Sequence, residues 1–179
     1  MSRINVPDVA TATDATAVVY NEVRKIAGGT VPNLYAVIGH LNPALLTAVL
    51  DAEATLASGS LSKQDLETIK ILVSARTGCD YCEAAHVMLG KMTGLTTDTI
   101  KKIRLGQSTG DAKRDALIHF VLTLHETEGT LGEHDYAGIL AAGYTDVQLL
   151  EISLVFALTI FTNAFNRIND TEIDFPKVD

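Results

Sequence analysis

Apolar residues along this chain recur at intervals of three and four, in every segment, and nowhere in the strict alternation of a half-buried strand, so the pattern predicts helices throughout. Leu66, Ile69, Leu72 and Val73 form one such stripe, opened by Ser62 as a cap with Asp65 three residues on and closed by Gly78. The same reading gives a first helix from Asp14 to Ile26, ending at Gly28-Gly29, and a second opening at Val31-Pro32. Pro43 starts a third that runs from Ala44 to Ala57 and stops at Ser58-Gly59. Past Gly78 a helix carries Cys79 to Lys91, and Thr96 or Thr97 caps a short one through Arg104. Asp111 to Thr127, His134 to Ala141 and Asp146 to Ile168 complete the set. The expected fold is all-α, a compact assembly of about nine helices with short turns. No Pro-rich or Ser-rich linker divides it, so residues 1–179 read as one domain.

The run Leu149 to Phe165 is strongly apolar, yet it contains Glu151 and spans 17 residues. That is short of the roughly 20 a membrane span needs, so it reads as a buried core helix. With 47% hydrophobic residues over 179 positions, the chain can bury a sizeable core. A helix apolar on nearly all sides is more than a small fold covers by itself, and a closed homo-oligomer is the expected remedy. The net charge of −8 and the pI near 5.0 argue against nucleic acid and anionic membrane surfaces, which need a basic stripe. Met1 to Ala12 joins no basic stretch to an apolar one, so no signal peptide is read there and a cytoplasmic location follows by default.

The chemistry concentrates in Cys79-Asp80-Tyr81-Cys82, which holds both cysteines of the chain, with His86 four residues after the second. On a helix these three share a face, which sets a dithiol beside a base near a helix N-terminus, where a thiol pKa falls from about 8.5. Redox or nucleophilic thiol chemistry is the sharp reading. A closed zinc site wants four ligands, and no second Cys/His cluster stands at suitable spacing. A c-type haem needs histidine directly after the second cysteine, where Glu83 stands. The strand context of a thioredoxin-like site is missing, while two inert core thiols stay open as the bland alternative.

Glu67 precedes Cys79 by twelve residues and lies beside the apolar stripe, so two antiparallel helices must bring it back to the dithiol. A carboxylate in that interface is expensive unless paired, with His86 or water as candidate partners; the alternative is an exposed Glu favoured by the helix dipole. A faint internal echo accompanies it: Glu151, Asn163 and Asn166 repeat the spacing of Glu67, Cys79 and Cys82, and Gly143, Leu150 and Phe165 stand at the same offset from Gly59, Leu66 and Tyr81. A degenerate internal duplication would leave such a trace. An amide neither ionises nor reacts with peroxide, so this second half is expected to be redox-silent, Asn163 and Asn166 making buried hydrogen bonds near the dithiol or the subunit contact whose loss spares the thiol chemistry. His40, His119, His125 and His134 read as structural or solvated groups, and Arg76, Arg104 and Arg167 as members of surface ion pairs.

The sequence from Leu66 to His86, with Glu67, Cys79, Cys82 and His86 in place, resembles the alkylhydroperoxidase D branch of the carboxymuconolactone decarboxylase-like superfamily. Val31 to Tyr35 and His40 to Leu46 are similar to that superfamily's lead-in helices, and Phe165 to Ile168 with Asp174 to Pro176 to its tail, so the resemblance covers about residues 30 to 176. It implies an all-helical, often duplicated fold, a homo-oligomer, commonly a trimer or hexamer, and thiol-dependent reduction of peroxides. Carried onto this chain, it makes Cys82 the peroxidatic thiol, Cys79 the resolving thiol, His86 the group that helps ionise Cys82, and Glu67 a proton relay. One departure is Tyr81, where the best-known peroxidase of the family has a histidine; a phenol is a poor proton carrier near pH 7.

The residue types suit that chemistry without the family. A thiolate attacks the terminal peroxide oxygen, and a neighbouring thiol then condenses with the sulfenic acid to a disulfide. A hydroperoxide substrate and an external dithiol or disulfide-reducing protein are the implied partners, and no flavin, haem or metal is called for. The helix dipole favours Cys79 as the reactive thiolate, but Cys82 shares a face with His86, which can also move the proton, and is the expected nucleophile. Two other functions compete: a decarboxylase or isomerase of the same superfamily acting on a ring lactone, which needs no dithiol, and a redox sensor whose dithiol switches the oligomer.

Overall fold

The computed structural model describes residues 2–178, which form nine α-helices and a single short 3₁₀ turn at Val9–Thr11, with no strand among the described residues. The helices are α1 (Asp14–Ile26), α2 (Asn33–Leu41), α3 (Pro43–Ala57), α4 (Lys63–Thr77), α5 (Asp80–Met92), α6 (Thr97–Leu105), α7 (Ala112–Glu126), α8 (Glu133–Ala141) and α9 (Asp146–Asn169).

Local chemistry sets most of these boundaries. Ser62 accepts from the Asp65 N–H while the Asp65 carboxylate accepts from the Ser62 N–H, a complete capping box at the head of α4. Asn42, Thr96 and Asp111 cap α3, α6 and α7 with their side chains. Gly78 ends α4 in the left-handed region at φ 66°. Its N–H bonds the Ala75 carbonyl and the Cys79 N–H bonds the Ser74 carbonyl, the two-bond C-terminal motif that glycine permits.

Helix α4 is the axis of the molecule, enclosed by α5, α6, α7 and α9. Every residue from Leu66 to Ser74 is buried, so the stripe read from the sequence is one side of a helix covered all round. Burying Ile69, Ile71 and Leu72 stabilises by roughly 1.5–3 kcal/mol each. Two charged residues are enclosed with them, and each has a partner: Lys70 Nζ lies 2.6 Å from Glu53, and Glu67 bonds His86. A second apolar cluster joins Val19, Tyr20 and Val23 of α1 to Leu34 and Ile38 of α2, and it includes Cys79, Tyr81 and Cys82. The first three helices therefore cover the dithiol.

Helix α9 is 24 residues long, one more than the Asp146 to Ile168 expected, and by length and composition it could cross a membrane. It departs from the expected buried core helix in not being covered all round. One face packs on α4 and carries buried Thr159, Asn163, Asn166 and Asn169, while Val147 and Leu150 stand exposed.

Candidate active site

The turn at Gly78 delivers Cys79 to the N-cap of α5, one position outside the helix expected to contain it. Its sulfur accepts from the Cys82 N–H at 3.3 Å, a place where Ser, Thr or Asp usually stands. Cys79 and Cys82 are bonded to each other as a disulfide. Both are buried, at 1% and 3% exposure. Cys79 lines a cleft of about 510 Å³ with Gly78, Tyr81, Asn166, Arg167 and Glu172.

Glu67 and His86 form the second pair. Their helices pack antiparallel as the spacing requires, and Glu67 Oε2 lies 3.0 Å from His86 Nδ1 with both side chains largely enclosed. The reading of Glu67 as an exposed first-turn carboxylate is thereby set aside. A carboxylate on Nδ1 orients the ring and leaves Nε2 as the atom for proton exchange. His86 follows Cys82 by one turn of α5, but its hydrogen bond goes to Glu67, and among the described residues none joins it to either sulfur.

Tyr81 turns to other work. Its hydroxyl accepts from the Leu34 N–H at 3.1 Å, and its ring meets Phe175 edge-on at 5.4 Å, tying the start of α2 to the C-terminal tail. Burial, together with the negative charge of Asp174, holds its phenol well above the ordinary range.

The second half of the chain reaches the site through α9. Asn163 donates to Thr77 Oγ1 at 2.8 Å and accepts from Ser74 Oγ at 3.4 Å, locking the end of α4 to α9 just ahead of the Gly78 turn. Asn166 Nδ2 donates to Cys82 Sγ at 3.1 Å. Asn163 and Asn166 thus make the buried hydrogen bonds near the dithiol that the sequence suggested, and the partner of Asn166 is a cysteine sulfur itself. Glu151, by contrast, has no part in the site, since its carboxylate accepts from Ser60 and Leu61. The echo is also broken in space: Glu67 and the cysteines occupy two helices, whereas Glu151, Asn163 and Asn166 share one.

Residues 43–117 match the carboxymuconolactone decarboxylase family. No curated protein matches the sequence. Among solved structures, the chain is similar to an alkylhydroperoxidase AhpD core, an uncharacterized peroxidase-related protein from Ralstonia eutropha, at 22% identity and a TM-score of 0.85 over 97% of this chain and 92% of that one. An uncharacterized peroxidase-related protein from a Silicibacter species shares 21% identity, with a TM-score of 0.79 over 96% and 91%. A variant of the debrominase Bmp8 in complex with 2,3,4-tribromopyrrole shares 16% identity, with a TM-score of 0.79 over 97% and 94%. At these identities the likeness is one of fold.

Proposed function

We propose that this chain, an AhpD-like member of the carboxymuconolactone decarboxylase superfamily, is a peroxidase that reduces hydroperoxides through its Cys79/Cys82 pair. The observation that carries the reading is the union of a buried dithiol with an enclosed pair of Glu67 from α4 and His86, which follows Cys82 by one turn of α5. A decarboxylase acting on a lactone has no use for the former. In the reduced protein, Cys82 as thiolate attacks the terminal peroxide oxygen; the S–O bond forms, the O–O bond breaks, and the departing alkoxide takes a proton from the imidazolium of His86, whose charge Glu67 supports. Cys79 then attacks the sulfenic sulfur, expelling water and closing the disulfide. An external dithiol reopens it by two thiol exchanges, so hydroperoxide and dithiol become alcohol, water and the reductant's disulfide. The reducing cytoplasm is the compartment that keeps such a cycle supplied. The outward apolar face of α9 supports a working form that is a homo-oligomer, a trimer or hexamer.

Peroxide consumption with candidate dithiols tests the reading. Cys82→Ser is expected to abolish it. Cys79→Ser should allow one oxidation that stalls at a sulfenic acid on Cys82, trapped by a dimedone-type reagent and seen by mass spectrometry. A trapped adduct on Cys79 in the Cys82→Ser protein, with none on Cys82 in the converse variant, would reverse the roles. Oxidation without sustained turnover would point to the sensor, and a halogenated pyrrole in the same assay checks the chemistry of the debrominase relative.

A further inference from the structure

We propose that Asn166, from the half of the chain without cysteines, is a catalytic residue: its amide N–H holds Cys82 as a thiolate, and its carbonyl oxygen receives the O–H of the incoming hydroperoxide. The inference rests on Cys82 being the peroxide-reactive thiol. A disulfide sulfur has lone pairs and no proton, so the amide group facing Cys82 Sγ at 3.1 Å is the donating Nδ2 and not the oxygen. A donor aimed at sulfur favours the charged form over the neutral thiol, because hydrogen bonding to an ionised group is the stronger bond. Asn166 is 2% exposed, and the usual remedy for a buried thiol, proximity to solvent, is closed to Cys82. Burial alone would keep that thiol protonated, and Asn166 supplies an opposing contact.

The other end of the same side chain points to a ligand. Asn166 Oδ1 is buried and, among the described residues, has no hydrogen-bond partner. Leaving such an acceptor unmet is costly, so native structures seldom keep one without reason. Asn166 borders the cleft of about 510 Å³ that Cys79 also lines, room for a small organic hydroperoxide. A hydroperoxide carries its only O–H on the terminal oxygen, the atom that sulfur attacks. With that O–H on Oδ1 and the sulfur on Nδ2, a single amide brings the reacting atoms together. When the S–O bond forms and the O–O bond breaks, the proton stays on the transferred oxygen as the sulfenic O–H, still bonded to Oδ1, and the alkoxide leaves to be protonated by His86. In the reductive half, thiolate attack on Cys79 from the cleft expels Cys82 as the thiolate the amide already favours.

The Cys79→Ser protein isolates Cys82 for the test. Iodoacetamide alkylation across pH reads its thiolate without any peroxide, and stopped-flow oxidation by a small alkyl hydroperoxide reads the substrate contact. Asn166→Ala should lower alkylation at neutral pH about tenfold, with a matching rise in apparent thiol pKa, and lower peroxide oxidation by a larger factor. Asn166→Asp, which keeps the shape of the side chain, should lower both further by setting a carboxylate against the thiolate. An unchanged alkylation profile in either folded variant overturns the thiolate assignment, and equal losses in the two rates for Asn166→Ala overturn the contact to peroxide. Alkylation that depends on Asn166 in a protein that consumes no peroxide upholds the thiolate assignment and removes the peroxidase reading instead.

Discussion

Tyr81 stands between the two cysteines in sequence and works elsewhere in the structure. Successive residues of a helical turn are rotated by roughly 100° each, so the Cys82 sulfur faces α9 and Cys79 the cleft while the phenol reaches α2 and the tail. Desolvation is the largest influence on the phenol and raises its pKa; the Leu34 N–H opposes it, and Asp174 raises it again. Tyr81 therefore stays neutral across the working range, and the position that carries a histidine in the best-known relative carries a structural clamp here. Tyr81→Phe should cost about 1 kcal/mol in urea unfolding, for the unmet Leu34 N–H, while leaving the pH profile of peroxide reduction unchanged from about pH 6 to about pH 9. A lost limb in that profile would make Tyr81 a proton carrier after all.

At the scale of elements, Glu151 shows what a helix needs beyond its own pattern. Its carboxylate reaches from the second turn of α9 to accept from the Ser60 and Leu61 N–H groups and the Ser60 hydroxyl, fixing the turn between α3 and α4. Desolvation raises its pKa, but the bonds from Ser60 and Leu61 outweigh it and the net shift is downward. A depressed folded pKa contributes stability that is present above the unfolded value of about 4.5 and is lost as pH falls through the folded one. Glu151→Gln should therefore unfold at lower urea than the parent at neutral pH, with the difference shrinking as pH drops below about 4. A difference that persists into acid would mean packing, not charge, is at work. The same helix marks where sequence ran out. Ser62, Asp65 and Gly78 announce α4 and its end because caps and left-handed turns are local, and the i,i+4 relation of Cys82 to His86 is local too. The union of Asn166 with Cys82 spans 84 residues and depends on how α9 packs against α5, which no local pattern encodes. The repeat spacing led to Asn166 and to a buried hydrogen bond near the dithiol, but not to the sulfur as its partner, because an alignment of residue types does not show which atoms meet. Cys79 as an N-cap was missed for a simpler reason: a thiol is a weak acceptor and is not sought at that position.

For the whole molecule, the open question is what covers α9. Val147, Leu150 and Leu154 repeat at three and four residues and are 60%, 74% and 38% exposed, a stripe opposite the face that packs on α4. Leu41 and Leu45 stand exposed at the junction of α2 and α3, and α3 is in contact with α9. Large apolar side chains exposed in a stripe along a helix suit an interface better than solvent. The helix could satisfy it in a bilayer by length and composition, but Asn163, Asn166 and Asn169 on its inner face bond Thr77, Cys82 and Thr171, so it stays anchored in the protein through its last turns. We propose copies of the same chain as the occupant, since they would leave those bonds intact. Sedimentation at micromolar concentration should show a closed homo-oligomer, since an open head-to-tail assembly of an exposed stripe would grow without limit. Leu150→Asp, placed at the most exposed position of the stripe, should shift the protein to monomer while its helical circular dichroism is retained. If the parent already sediments as a clean monomer, the stripe has no second copy to meet.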